Sequence, residues 1–284
     1  MPRTFRARAA TAALAFAALV AAGCGDGGNG GENAAVALTE RLPVGADRYV
    51  AVDLAALRDG LDLDADADPL SPSAPAPFAI AANAALAGLR GGGSIAPAID
   101  ATADLGLATA IAGSESPDGP VVVIATAEDT GEIGSRLGDI GFRDRGGILA
   151  EPGRPAAFRL EDGIVFASTA AAALRALPDE PRDEPPDPLL DDLDAPYVET
   201  APTPGGCVRS QGATGEPDGS GEVALLIDGD ADADRVQRST VAGIELGAPE
   251  ADGDLLTVAA RGSPAAAGLA APEALRSGAV AYDC

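Results

Sequence analysis

The feature that most constrains this fold is a run of alternating strand and helix patterns over residues 121–177. Val121 to Ala125 is continuously apolar, which is typical of a strand that is buried on both faces. The next apolar residues recur at helical spacing and predict a helix whose N-cap lies near Asp129. These apolar residues are Ile133, Leu137 and Ile140.

A hairpin and a second helix complete this stretch. Two short strand-like segments, 158–160 and 164–166, flank Asp162-Gly163, and an Asp-Gly step between such segments favours a tight turn. A further helix is predicted from Ala170 to Leu177. The resulting order, β-α-β-β-α, is that of half a ferredoxin-like sandwich.

The same pattern partly repeats after residue 207. Val223 to Ile227 is an apolar strand, and the acidic residues 228–234 offer several caps for a helix through Val236. Residues 244–258 are typical of a hairpin with Asp252-Gly253 in its turn. The sequence therefore predicts an α+β fold of two related β-α-β-β units, each with its helices packed on one face of an antiparallel-rich sheet.

Proline and acidic residues dominate the segment between the two units. Residues 178–206 carry so many of both that we predict an unpacked interdomain linker there. The linker would separate an α+β domain over 37–177 from a smaller α+β domain over 207–284.

The larger predicted domain begins with a strand followed by two helices. The strand covers 48–53, and Asp53 is the expected N-cap of a helix over 54–61. An acidic, proline-rich loop over 61–77 leads to an alanine-rich helix over 78–89. Glycines 91–93 follow that helix and are expected to end it.

The N-terminus has the order of an export signal. Arg3, Arg6 and Arg8 precede an apolar run from Ala9 to Ala22, and small residues follow, as at a signal-peptide cleavage site. The apolar run of roughly 14 residues is shorter than the about 20 that a spanning helix needs. We therefore predict that residues 1–23 are a signal peptide.

Cys24 stands directly after these small residues. Ala21-Ala22-Gly23-Cys24 resembles the lipobox of bacterial lipoproteins, although that family prefers leucine at the position of Ala21. The resemblance covers the N-terminus only and implies that Cys24 becomes the lipidated first residue of the mature chain. Residues 24–36 are then a glycine-rich, flexible tether; the alternative is an ordinary signal peptide that happens to contain a cysteine.

The charge of the chain bears on its partners. The formal net charge is −25, from 19 basic and 44 acidic residues. Loss of the three signal-peptide arginines leaves 16 basic against 44 acidic residues, or −28. Such a chain is repelled by phosphate backbones, so we expect no nucleic-acid partner. A requirement for solubility, a salt-adapted proteome or a GC-rich genome also accounts for this acidity.

Two cysteines remain once Cys24 is assigned to lipid. In an oxidising, extracytoplasmic compartment Cys207 and Cys284 are expected to form a disulfide. The alternative is two buried thiols.

Whole classes of catalytic chemistry are excluded by composition. The sequence has no histidine and no lysine, which removes the Ser-His-Asp triad, histidine metal sites, the P-loop lysine and Schiff-base chemistry. We predict no catalytic residue, no cofactor and no metal site. A hydrolase that uses carboxylates alone is the low-probability exception.

Two acidic alternations resemble the start of a calcium loop. An EF-hand loop needs glycine at its sixth position and glutamate at its twelfth. Counted from Asp62 these positions hold Ala67 and Ser73, and counted from Asp228 they hold Ala233 and Ser239. A solvated loop at 62–68 and helix capping at 228–234 are therefore the favoured interpretations.

These observations lead to one functional expectation and one alternative. The expected protein is exported and held on the outer face of the cell membrane, or on the periplasmic or outer-membrane face of a diderm cell, by the lipid on Cys24. It has a non-catalytic binding or scaffolding role toward a protein, cell-wall or small-molecule partner. The alternative is a carrier of lipid or a small solute, with the alanine-rich helix at 78–89 lining an apolar cavity.

Overall fold

The computed structural model describes residues 33–90, 104–203, 206–262 and 269–284. All of them belong to one compact unit, Asn33–Cys284. The predicted signal peptide, Cys24 and most of the tether lie outside the described residues. Residues 34–36, predicted as part of the tether, instead form the first turn of a helix, because the Asn33 side chain caps it and accepts the N–H of Ala35 at 3.0 Å.

One antiparallel sheet of twelve strands forms the centre of the described unit. The strands in chain order, including two that lie outside this sheet, are β1 (Arg48–Asp53), β2 (Ala108–Glu115), β3 (Val121–Thr126), β4 (Arg143–Asp144), β5 (Leu149–Ala150), β6 (Ala157–Glu161), β7 (Ile164–Ser168), β8 (Tyr197–Pro202), β9 (Val208–Gly215), β10 (Gly221–Ile227), β11 (Val236–Arg238), β12 (Ile244–Asp252), β13 (Leu255–Gly262) and β14 (Val280–Tyr282). Their order across the sheet is β12-β13-β10-β9-β8-β1-β2-β3-β7-β6-β5-β4, and β11 pairs with β14 in a small separate sheet.

Short helices cover this sheet. They are α1 (Ala34–Thr39), α2 (Leu54–Gly60), α3 (Ala76–Ala85), α4 (Ala87–Arg90), α5 (Thr130–Asp139), α6 (Ala171–Arg175), α7 (Leu189–Asp192) and α8 (Ala270–Arg276). The α+β class predicted from the sequence is confirmed.

The helices lie on both faces of the sheet, not on one face as predicted. One face packs against α2, α3, α4, α5 and α8 and is called the α3 face below; the other packs against α1, α6 and α7 and is called the α1 face. In β1, Val50 and Val52 point to the α3 face, whereas Tyr49 and Ala51 point to the α1 face. A strand with apolar residues at every position needs cover on both sides.

The sheet consists of two halves with the same strand order. The first half runs β1-β2-β3-β7-β6 and the second runs β8-β9-β10-β13-β12, and they meet where β1 pairs with β8. Both halves use a Pro-Asp-Gly turn between their second and third strands, at 117–119 and 217–219. In each turn the glycine N–H donates to the carbonyl three residues earlier, from Gly119 to Ser116 and from Gly219 to Glu216. The structure thus contains two related units.

Residues 178–206, predicted as an unpacked linker, are part of the packed structure. They contribute α7 and the central strand β8, and the two predicted domains share one sheet. Asp187 is buried and accepts hydrogen bonds from the Ser210 hydroxyl at 2.8 Å and from the N–H of Leu189 at 3.0 Å. The prediction of a linker rested on the proline and acid content and gave no weight to the few apolar residues of this segment. Those that pack in the core are Leu189, Leu190, Leu193 and Ala195.

Most of the locally signalled elements are confirmed. Asp53 caps α2 and accepts the N–H of Ala56 at 2.8 Å, and Asp129 caps α5. The hairpin at Asp162-Gly163 joins β6 to β7. The helix predicted through Val236 is reduced to one 3-10 turn at Ala233–Arg235, followed by β11. None of the three residues of that turn is buried, so no apolar face stabilises a longer helix there.

Replacement of Asp187 tests whether the 178–206 segment contributes to stability. We expect Asp187→Ala to lower the free energy of unfolding by about 1–3 kcal/mol, because it leaves the Leu189 N–H without its side-chain acceptor and the buried Ser210 hydroxyl with only the Ala201 carbonyl at 3.4 Å. The control is Asp183→Ala, an exposed residue of the same segment, which should change stability by less than about 0.5 kcal/mol. Equal urea midpoints for the two variants would contradict this role.

Candidate functional site

The sequence predicts a role for each of three cysteines, and two of these cysteines lie among the described residues. Cys24 lies outside the described residues. Cys207 and Cys284 are bonded, with an S–S distance of 2.01 Å and a Cα–Cα distance of 5.7 Å, so the predicted disulfide is confirmed. It ties the C-terminal residue to the residue before β9 and closes a loop with a sequence separation of 77.

Loss of this disulfide should destabilise the protein. On the chain-entropy model a loop of this length contributes about 4 kcal/mol, so we expect Cys284→Ser to lower the unfolding free energy by about 2–5 kcal/mol. In the unreduced, denatured protein Cys207 and Cys284 should resist alkylation, and both should react after reduction. Labelling of both before reduction would show that the bridge is absent in solution.

Carboxylates of both acidic alternations accept hydrogen bonds from nearby backbone N–H groups. Asp68 accepts the N–H of Leu70 at 2.8 Å, and Asp232 accepts the N–H of Asp234 at 3.0 Å. These carboxylates therefore stabilise local turns. Within the part of the chain that the structure describes, no group of three His, Cys, Asp or Glu side chains could hold a metal ion.

A buried polar cluster lies instead at the junction of the two halves. Arg48 of β1 donates to Glu199 of β8 with an Nη2–Oε2 distance of 2.5 Å, and the Tyr197 hydroxyl donates to the same oxygen at 2.7 Å. Arg48 also pairs with Glu115 of β2 at 3.2 Å. Arg276, on the last turn of α8, places Nη1 3.8 Å from Glu199 Oε2. We call these five residues the junction cluster.

Strand register builds the junction cluster on the α3 face. Glu199 pairs directly with Val50, and Arg48 pairs with Glu115. Side chains two residues apart on a strand share a face, so Tyr197 lies beside Glu199, and Arg48 lies diagonally across from Glu199. Tyr197 is fully buried and the Glu199 side chain is 3% exposed, against 23% for Arg48 and 47% for Arg276.

The electrostatics of the cluster favour the protonated forms of Tyr197 and Arg48. Burial raises the pKa of the Tyr197 phenol well above its usual value, and the neighbouring Glu199 carboxylate raises it further. Burial by itself would lower the pKa of Arg48, but the attraction and hydrogen bond of Glu199, together with Tyr197 and Glu115, raise it overall. Both groups therefore stay protonated at neutral pH. The arrangement can hold a charged or hydrogen-bonding group.

One atom of the cluster has no partner. Glu199 Oε1 is buried, and no donor among the described residues lies within hydrogen-bond distance of it. Every donor that reaches this carboxylate reaches Oε2. An unpaired oxygen on a buried carboxylate costs free energy. Glu199 Oε1 is therefore the atom of the cluster at which a further hydrogen-bond donor would be favourable.

The sequence interpretation missed the junction cluster entirely. Tyr197 and Glu199 fell inside the predicted linker, and Arg48 was only the first residue of a predicted strand. The alternation of Tyr197, Val198 and Glu199 was a strand signal. That signal could not reveal which strand would pair with β8, so it could not place Arg48 beside Glu199.

The alanine-rich helix does not line an open space where it contacts β2. Phe78, Ala81, Ala82 and Ala85 of α3 are at most 3% exposed. A Cβ added to Gly113 of β2 would lie 2.4 Å from the Ala85 carbonyl oxygen. At this contact α3 packs directly on the sheet as an ordinary core helix.

Comparisons with known proteins add a distant structural likeness. No family model matches the chain, and no curated protein matches it. Two crystal forms of TP0453 are similar in structure. Form I has a TM-score of 0.39 at 11% identity and covers 80% of this chain and 93% of that one; form III has a TM-score of 0.42 at 10% identity and covers 79% and 93%. Neither likeness carries an argument about function. Among the described residues no helix is long and apolar enough to span a membrane.

Three partly buried carboxylates predict a pH dependence of stability. Burial raises the pKa of Glu216, with Asp218 adding to the effect, and burial also raises the pKa of Asp53 and Asp192. The native state therefore binds these protons at higher pH than the unfolded chain does, and stability falls as pH rises through the range above the usual carboxyl values. The pKa of Asp218 is lowered by Ser220 and acts in the opposite direction at lower pH.

We accordingly expect a higher melting temperature at pH 5 than at pH 7, measured by circular dichroism. Glu216→Gln should show a smaller gain, because its side chain no longer takes up a proton. The control Glu250→Gln, at an exposed residue of β12, should keep the full gain. A melting temperature that falls steadily from pH 7 to pH 5 would contradict the prediction.

Proposed function

We propose that this chain is an exported, lipid-anchored protein of the cell envelope that acts by binding and not by catalysis. The observation that carries the proposal is the Cys207–Cys284 disulfide. Structural disulfides persist in oxidising compartments outside the cytoplasm. The N-terminal signal pattern and Cys24 support the same location on independent grounds.

A binding role fits the chemistry that the chain has. Histidine and lysine are absent from the sequence, which removes the groups that most often act as general bases and nucleophile partners near neutral pH. Two members of the junction cluster, Arg48 and Tyr197, stay protonated at neutral pH. The site supports recognition of a charged or hydrogen-bonding group better than proton transfer.

The lipid on Cys24 would place the protein at a membrane surface. It would hold the folded unit on the outer face of the cell membrane, or on the periplasmic or outer-membrane face in a diderm cell. The net charge of −25 disfavours direct contact with anionic headgroups, so attachment would depend on the lipid alone.

Replacement of Cys24 tests the anchor. In cells that process lipoproteins, Cys24→Ala should move the protein from the membrane pellet to the soluble fraction and from the detergent phase to the aqueous phase, because no acyl chain is attached. Gly27→Ala, which alters the tether and keeps the cysteine, should stay with the membrane. If Cys24→Ala also stays in the detergent phase, the lipid anchor is excluded.

A further inference from the structure

The outermost cation of the junction cluster is held loosely. Arg276 Nη1 lies 3.8 Å from Glu199 Oε2, beyond hydrogen-bond distance. Its Nη2 lies 3.4 Å from Glu273 on the same helix, and this is an exposed pair of the kind that contributes little. By contrast, Arg48 and Tyr197 hold Glu199 at 2.5 and 2.7 Å.

Arg276 is the exposed partner of a buried carboxylate and lies nearest to Oε2. The Arg276 side chain is 47% exposed, whereas the Glu199 side chain is 3% exposed. Glu199 Oε1 remains without a donor among the described residues. A guanidinium that approached closely would donate two parallel N–H groups and pair with both carboxylate oxygens. The present position of Arg276 does not achieve this.

Charge selects a cation for this position. The acidic members around the site are Glu199, Glu115 and Glu273, and the basic members are Arg48 and Arg276. The whole chain carries a net charge of −25, which attracts basic partners and repels acidic ones.

We propose that Glu199 is a docking point for an arginine side chain of a basic partner protein, and that Arg276 occupies this position until the partner displaces it. The planar fork of an incoming guanidinium satisfies Oε1, which neither Arg48 nor Tyr197 reaches. Arginine fits better than lysine because its planar fork donates to Oε1 and Oε2 together, whereas an ammonium is a single point charge. The inference rests on the proposed binding role and names the chemistry of the partner.

Binding of a short peptide to the full-length protein in detergent micelles tests this. The probe is acetyl-Gly-Arg-Gly-amide, compared with the same peptide carrying neutral citrulline, in calorimetric titrations at low salt. We expect Arg276→Ala to bind the arginine peptide about fivefold more tightly than the unaltered chain, because a competing cation at about 4 Å is removed. The citrulline peptide should not bind, and the affinity of the protein for the arginine peptide should fall as salt is added.

A matched control separates docking from a general charge effect. Arg209→Ala removes the same charge from another exposed arginine, which pairs with Asp254 away from the cluster, and it should leave affinity for the arginine peptide unchanged. Glu199→Gln should weaken binding by about tenfold or more. If that variant does not fold, the affinities of Arg276→Ala and Arg209→Ala for the arginine peptide are sufficient to test the docking site.

Two results would overturn the proposal. One is equal affinity of the Arg276→Ala and Arg209→Ala variants for the arginine peptide, which would make Glu199 a purely structural residue. The other is equal binding of the citrulline and arginine peptides, which would show that charge is not recognised. Neither result depends on Cys24, so failure of the lipid anchor and failure of this docking site are distinguishable.

Discussion

The pairing of β1 with β8 holds the described structure together. Four residue pairs, from Tyr49 with Thr200 to Val52 with Tyr197, join the two halves into one antiparallel sheet. The Asp53 N–H extends the contact by donating to the Pro196 carbonyl at 2.7 Å. Without this pairing β1 and β8 would each be an open edge strand of its half. An unpaired strand edge in a hydrophobic sheet promotes association. The joined sheet instead ends at β4, which is very short, and at β12, which carries Pro249 and a register shift beside it.

The same pairing explains why a charged cluster lies at the centre of an apolar fold. A shift of one residue between β1 and β8 would turn Glu199 and Tyr197 together toward the apolar α1 face, where Glu199 would lose Arg48. Buried ion pairs contribute little net stability but can specify one arrangement over another. We infer that the Arg48–Glu199 pair fixes the register of the two halves, and the related hairpin turns of each half fix the order of strands around it.

Arginine performs the cationic structural roles in this lysine-free chain. Arg58 shows how: its guanidinium is buried, donates to the carbonyls of Ala67, Leu105 and Ala108 at 2.7–3.1 Å, and lies over the Phe78 ring. The planar, multiply donating group suits such positions better than an ammonium does. Because aromatic residues are only 3% of the chain, close packing of alanine and glycine, as at Gly113 and Ala85, supplies the rest of the core.

The sequence by itself determined the local elements and the disulfide. Asp53 and Asp129 cap helices, and Asp162-Gly163 forms a turn, because these effects act between residues a few positions apart. Cys207 and Cys284 were the only candidates left for a bridge once Cys24 was assigned to lipid. The tertiary structure decided that 178–206 is packed, that helices cover both faces and that Glu199 meets Arg48. These outcomes depend on which strands pair, and pairing is chosen by the burial of the whole sheet and not by any local signal.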